Sequence, residues 1–175
     1  MKRATKTLEW AESDKGASIL DIALNHLTLG RATIYAVILD LPLADLNVAS
    51  SGVNASVIGL RQANSQEHIP SGLLTRAWMR FLTGARTGPE SAQSDLDDAW
   101  EIAERGPMPL FLADIHLHRA RLFFRETTYP WNQHPDGTPR GPKDDLAAAR
   151  RLIEKHGYWR RKEELEDAEE AAKSW

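Results

Sequence analysis

Residues 91–106 read SAQSDLDDAWEIAERG. Ala92, Leu96, Ala99 and Ala103 stand at i, i+4, i+7 and i+11, so they line one face of a helix, and three of the four are alanine. A face that narrow lets a second helix approach closely. Residues 49–60 follow the same plan with Ala49, Val53, Ser56 and Leu60, and residues 144–157 with Leu146, Ala149 and Ile153. Near the start, Glu9-Trp10-Ala11-Glu12 lines up with Glu101-Ile102-Ala103-Glu104, as though the chain opens on the end of such a helix.

A second pattern alternates with the first. Leu-x-Arg-Ala occurs at Leu29–Ala32, Leu74–Ala77 and Leu117–Ala120, with the alanines 45 and then 43 residues apart. Each copy lies in an apolar segment of helical spacing; Leu74, Ala77 and Phe81 share a face. Self-similarity at such a period is the mark of a helical repeat array.

These patterns and the breakers between them predict helices near 3–13, 17–39, 44–63, 71–83, 89–105, 109–126, 143–156 and 159–172. Pro42, Pro70, Gly84, Gly88-Pro89, Gly106-Pro107 and Gly157 mark the joints, and Ser71 and Asp144 suit first-turn or capping positions. The best strand candidate is YAVILDL at 35–41, and a buried helix satisfies its apolar spacing equally. Residues 127–143, TTYPWNQHPDGTPRGPK, hold four prolines and two glycines where other connections are short, which predicts a long irregular loop. Tyr129 and Trp131 within it either pin the loop to the helices or face a ligand.

The 175 residues, 42% hydrophobic and 27% charged, suffice for one domain with a sizeable core. A formal charge of -3 gives no basic field for nucleic acid. Without cysteine there is no disulfide, no thiolate nucleophile and no Cys-type zinc site. No signal-peptide core and no run of about 18 apolar residues is present, which predicts a cytoplasmic protein without a membrane partner.

The alanine stripe of 92–103, preceded by Ala77 and by Gly84 seven residues later, resembles the tetratricopeptide repeat: a small residue in the first helix, a glycine at the turn and an Ala–bulky–Ala pattern in the second helix. ADIHLHRARLFF, RRLIEKHGYWRRKEELEDAE and EELEDAEEAA resemble the closing repeat and solvating helix of bacterial members, often the C-terminal part of larger signalling or regulatory proteins. The spacing of 43 to 45 exceeds the family's period of about 34. The resemblance implies an all-α fold, a right-handed superhelical stack of antiparallel hairpins at 17–63, 71–106 and 109–157. Residues 1–16 would form a partial repeat or N-terminal helix, 127–143 a loop insertion and 158–175 a capping helix.

Candidate chemistry is sparse. His116 and His118, two residues apart on a helix, point about 200° apart and do not chelate one metal together. Asp114 with His118 would need a further ligand, and there is no HExxH cluster, nucleophile elbow or phosphate loop; GARTG at 84–88 lacks the lysine. The adjacent acids Asp97-Asp98 and Asp144-Asp145 point apart on a helix and ordinarily face water. A small metal-dependent hydrolase using His116 and His118 is thus the weakest reading.

The recurring arginines are the stronger signal. Arg31, Arg76 and Arg119 hold one repeat position, with Arg80, Arg121, Arg125 and His118 near the row. Either they form a cationic groove that grips the carboxylates of an acidic peptide or a chain terminus, or each lays its stem across a neighbouring helix and pairs with an in-chain acid. The C-terminal run is read as a solvated cap or a dimerisation helix, and Trp78, Trp100 and Trp159 as core. By resemblance the function is protein–protein interaction without catalysis or cofactor, in a scaffold or sensor; the rival is a C-terminal regulatory fragment of a larger signalling protein or NTPase.

Overall fold

The computed structural model describes residues 2–14, 16–41 and 45–175. Among them eight α-helices follow in order: α1 (Lys2–Ser13), α2 (Ile19–Ile38), α3 (Leu46–Gln62), α4 (Ile69–Leu82), α5 (Ala92–Arg105), α6 (Pro109–Phe123), α7 (Pro142–His156) and, after a 3-10 turn (Trp159–Arg161), α8 (Lys162–Ala172). No strand forms among the described residues, where the one β-type contact is an isolated bridge between Gln133 and Pro139. The class is all-α. No described helix is long and apolar enough to cross a membrane. The joint expected at Pro42 and the helix start expected at Ala44 lie outside the described residues.

Two helix starts differ from expectation for local reasons. α5 begins at Ala92 rather than residue 89 because Ser91 and Ser94 cap each other: each hydroxyl accepts from the other's backbone N–H, at 3.2 and 2.9 Å. α4 starts two residues earlier than expected, since Pro70 sits in its first turn, where a missing N–H costs nothing. Ser18 caps α2 by accepting from Asp21 N–H at 3.0 Å. Asp144 does take a capping role, its carboxylate accepting from Gly141 N–H at 2.7 Å. α7 ends at Gly157, whose φ of 69° belongs to the left-handed region that glycine enters without penalty.

The chain forms two compact units, Met1–Asp95 and Leu96–Trp175, so the division falls in the first turn of α5, inside the expected 71–106 hairpin. In the first unit α1 packs on α2, α2 on α3 and α3 on α4, and α2 also meets α4. α2 and α3 run antiparallel at very short range. A Cβ on Gly30 would stand beside Val53, one on Gly52 near His26 and Gly30, and one on Gly59 beside Ala23. Ile34, Ala49, Val53 and Met79 form a core cluster there, with Trp78 partly buried against it.

In the second unit α6 packs on α7, and α8 packs on both. Ala113, Leu117 and Ala120 of α6, Leu146, Ala149 and Ile153 of α7, and Leu165, Ala168 and Ala172 of α8 make one continuous core. The expected alanine stripe is buried: Ala92, Leu96, Ala99 and Ala103 are all fully covered.

Candidate functional site

The three repeat arginines share a sequence position but not a partner. Arg31 donates from Nε to Thr75 Oγ1 (2.8 Å) and from Nη2 to the Ser71 carbonyl (3.0 Å) and hydroxyl (2.6 Å), tying α2 to α4. Arg76 grips Asp95 in a fork, Nε at 3.0 and 3.1 Å from the two carboxylate oxygens and Nη2 at 2.6 Å. Arg80 reaches the same carboxylate at 3.1 Å. Asp95 is almost completely buried, so this is an ion triad inside the protein, the setting in which a guanidinium fork suits a carboxylate.

Arg119 lies in the second unit. Its Nη2 donates to Asp97 Oδ1 at 3.3 Å, and its guanidinium lies between two indoles, 4.6 Å from the Trp100 ring centre and 4.5 Å from that of Trp131. Its Nε is buried without a hydrogen-bond partner. Arg121 pairs with Glu164 of α8, and Arg125 sits over the Phe124 ring. His118 is half-buried, with Nδ1 2.8 Å from the Asp114 carbonyl, the bond that holds an imidazole along its own helix.

A buried cluster gathers beneath the Pro-rich loop and joins His116, Tyr129 and Asp145, which the sequence singles out separately, with Arg140, which it does not. Asp145, with no solvent exposure at all, meets His116 Nδ1 at 2.5 Å, the Tyr129 hydroxyl on its other oxygen, and Arg140 Nη2. Trp100 packs its edge against His116, ring centres 5.1 Å apart. Burial lowers the His116 pKa against the opposing pull of Asp145, so the neutral ring donates its Nδ1–H to the carboxylate. Burial alone would raise Asp145, but the bonds from His116 and Tyr129 and the Arg140 charge bring it net below the usual carboxylate value. Burial, then Asp145, drives Tyr129 far up, and it stays a phenol.

This cluster clasps the loop. Tyr129 is buried; Trp131 donates to Asp97 at 2.7 Å and packs edge-on against Phe123 and Tyr129. Of the two readings of these aromatics, the structure shows the pinning one. The loop is also less irregular than expected: His134 N–H reaches Thr138 O and Arg140 N–H reaches Asn132 O, closing a small hairpin whose tip is Asp136-Gly137.

Asp144 and Asp145 do point apart, but Asp145 points into the core rather than to water. Its burial is legible only in hindsight, from its place one residue before Leu146 in the apolar stripe. Asp97 is half exposed yet holds both Arg119 and Trp131. Asp114, on α6, is buried and bound by Arg161 through two bonds of 2.7 Å. Among the described residues no group of three or more His, Asp or Glu side chains is placed to hold a metal ion.

One expected core residue lies outside. Trp159 is 59% exposed, because Gly157 turns the chain out of α7 before Trp159 enters the 3-10 turn. Beside it in sequence, the His156 and Tyr158 rings stack 5.8 Å apart. Trp175 stacks on Phe124, just past the end of α6, with ring centres 4.4 Å apart.

No family model, curated protein or solved structure matches this chain. Its function must be read from its own surfaces.

Proposed function

We propose that the chain is a protein-interaction module that makes and breaks no bond. The observation that carries this reading is the exposed apolar end of the α2–α3 hairpin. Tyr35 and Ile38 on the last turns of α2, Leu39 and Leu41 just after it and Val48 in the first turn of α3 are all 48–66% exposed. Single exposed apolar residues are ordinary, but five of them at the same end of one helix hairpin favour a surface that another protein covers. The hairpin beneath is built on glycine and alanine close approaches, which give a stiff platform rather than an adaptable pocket.

We further read the hairpins as a right-handed superhelical array similar to tetratricopeptide repeats. The packing of consecutive helices and the Arg31 bridge from α2 to the equivalent helix α4 support it. The cationic-groove form of this proposal loses ground to the geometry, because the row arginines donate to in-chain acceptors.

The test is an affinity pull-down from native lysate with quantitative mass spectrometry, run on the parent and on an Ile38→Ser, Leu39→Ser variant of equal thermal stability. The expected result is at least one protein enriched by the parent over an unrelated bait and lost with the variant. Enrichment of nothing by the parent contradicts the interaction reading.

A further inference from the structure

We propose that the corner where α7 ends and the 3-10 turn begins is a docking surface for an acidic peptide segment of a partner protein, with Trp159 as the apolar grip and Arg151, Lys155 and Arg160 as its cations. This rests on the interaction reading and gives it a second contact.

Charge placement comes first. In a chain of net charge -3, residues 150–162 hold six Lys or Arg and one acid, Glu154. Three of the six are engaged: Arg150 with Glu169 and Glu154, Arg161 with Asp114, and Lys162 with Glu166 at 3.7 Å. Arg151, Lys155 and Arg160 are exposed and have no ion-pair partner among the described residues. They differ in this from the repeat arginines, which are tied up within the fold. A free, hydrated cation beside an apolar side chain is what an incoming carboxylate needs, since no internal pair has to be broken.

Their positions in the chain set these groups around the end of α7. Arg151 and Lys155 are one turn apart on α7 and share its outward face. Gly157 then reverses the chain, and the Trp159 indole nitrogen comes to 3.8 Å from where a Cβ on Gly157 would stand, so the indole lies over the helix end. Lysine near a helix C-terminus also offsets the helix dipole, which accounts for Lys155 alone. It accounts neither for Arg160, beyond the helix, nor for the uncovered indole. Tryptophan and arginine side by side are the residues that most often anchor interfaces.

A peptide fits better than a nucleic acid. Three residues beyond Arg160 the chain turns acidic, with Glu163, Glu166 and Asp167 all exposed. A phosphate backbone needs a continuous basic track, whereas a short acidic segment needs only a few cations.

Fluorescence anisotropy tests this with a labelled peptide of alternating glutamate and leucine, at low and at physiological salt. The parent should bind saturably and more weakly as salt rises. The Lys155→Glu, Arg160→Glu variant should bind about tenfold more weakly or worse. Trp159→Ala should lose several-fold with an unchanged salt dependence. Lys2→Glu, Lys6→Glu, which removes the same charge from the basic start of α1, should bind like the parent. No saturable binding by the parent, or an equal loss in the α1 variant, overturns the proposal. So does tighter binding of single-stranded oligothymidine that the corner variants abolish, which would make the corner a nucleic-acid surface, and so does concentration-dependent dimerisation lost in the corner variant. A parent that captures a partner in the pull-down but binds no acidic peptide refutes the corner and leaves the interaction module standing.

Discussion

Three glycines of the α2–α3 hairpin should respond to the same substitution with opposite signs. Glycine in a helix interior costs about 1 kcal/mol relative to alanine, so Gly→Ala stabilises wherever the new methyl has room. At Gly52 it has room: the nearest atoms to a Cβ lie 3.7–4.0 Å away, an ordinary contact distance. At Gly59 the Cβ would stand 2.8 Å from the Ala23 Cβ and 3.6 Å from its Cα. Ala23 has no torsion to turn, so α2 and α3 must separate, and overpacking of this kind costs about 1–3 kcal/mol. At Gly30 the clash is with Val53 Cγ2 at 2.5 Å, a β-branched side chain with little rotamer freedom.

Gly52→Ala should therefore be up to about 1 kcal/mol more stable than the parent, and Gly59→Ala about 1 kcal/mol less stable after its propensity gain is counted. Urea unfolding followed by far-UV circular dichroism reads both as shifts in midpoint at constant slope. Val53→Ala should partly rescue Gly30→Ala but not Gly59→Ala. If all three alanine variants move the midpoint upward, the two helices are not as close as described.

Further outcomes follow from the polar interior. Asp95→Ala strands Arg76 and Arg80 beside each other without their acid and should cost about 3 kcal/mol or more, whereas breaking the exposed Arg105–Glu101 pair should cost under about 1 kcal/mol; urea midpoints compare them. Burial lowers His116 and His118, so above about pH 6.5 both states are neutral and their contribution is complete. As pH falls through that value the unfolded chain takes up protons that the folded one refuses, and the melting temperature should drop between pH 7 and 5. His116→Gln, which keeps a donor for Asp145, should flatten part of that drop; an identical pH profile would remove His116 as a contributor. Trp131→Ala takes one indole from Arg119 and the cover from Phe123 and Tyr129, and should speed limited proteolysis within 132–139 by at least severalfold, while a Thr138→Ala variant should be cut at nearly the parent's rate.

The helices could be read from the sequence because their pattern is local. Ala92, Leu96, Ala99 and Ala103 declare a buried stripe within four turns, and Gly157 declares the end of α7. Helix starts were missed where two hydroxyls, Ser91 and Ser94, closed a cap that composition does not announce. The partners of the arginines were not legible, since Asp95 lies 19 residues from Arg76 and is silent until the helices pack. The same holds for the clasp: His116 of α6 and Tyr129 and Arg140 of the loop converge on Asp145 of α7, and the spacing around His116 and His118 names none of these partners. Trp159 misled for a local reason, as the left-handed turn at Gly157 takes it off the helical face that its spacing implied.

The repeat arginines tie the helices to one another, and we propose that the free corner around Trp159 meets the partner. A 1H–15N spectrum recorded during titration with the acidic peptide tests both halves, because arginine Nε–H and tryptophan Nε1–H signals appear in it directly. The Trp159 indole signal should move in proportion to bound peptide while the Nε–H signals of Arg31 and Arg76, bonded to Thr75 and Asp95, stay in place. Movement of those arginine signals with a still Trp159 would contradict the corner as the docking surface and restore the cationic groove.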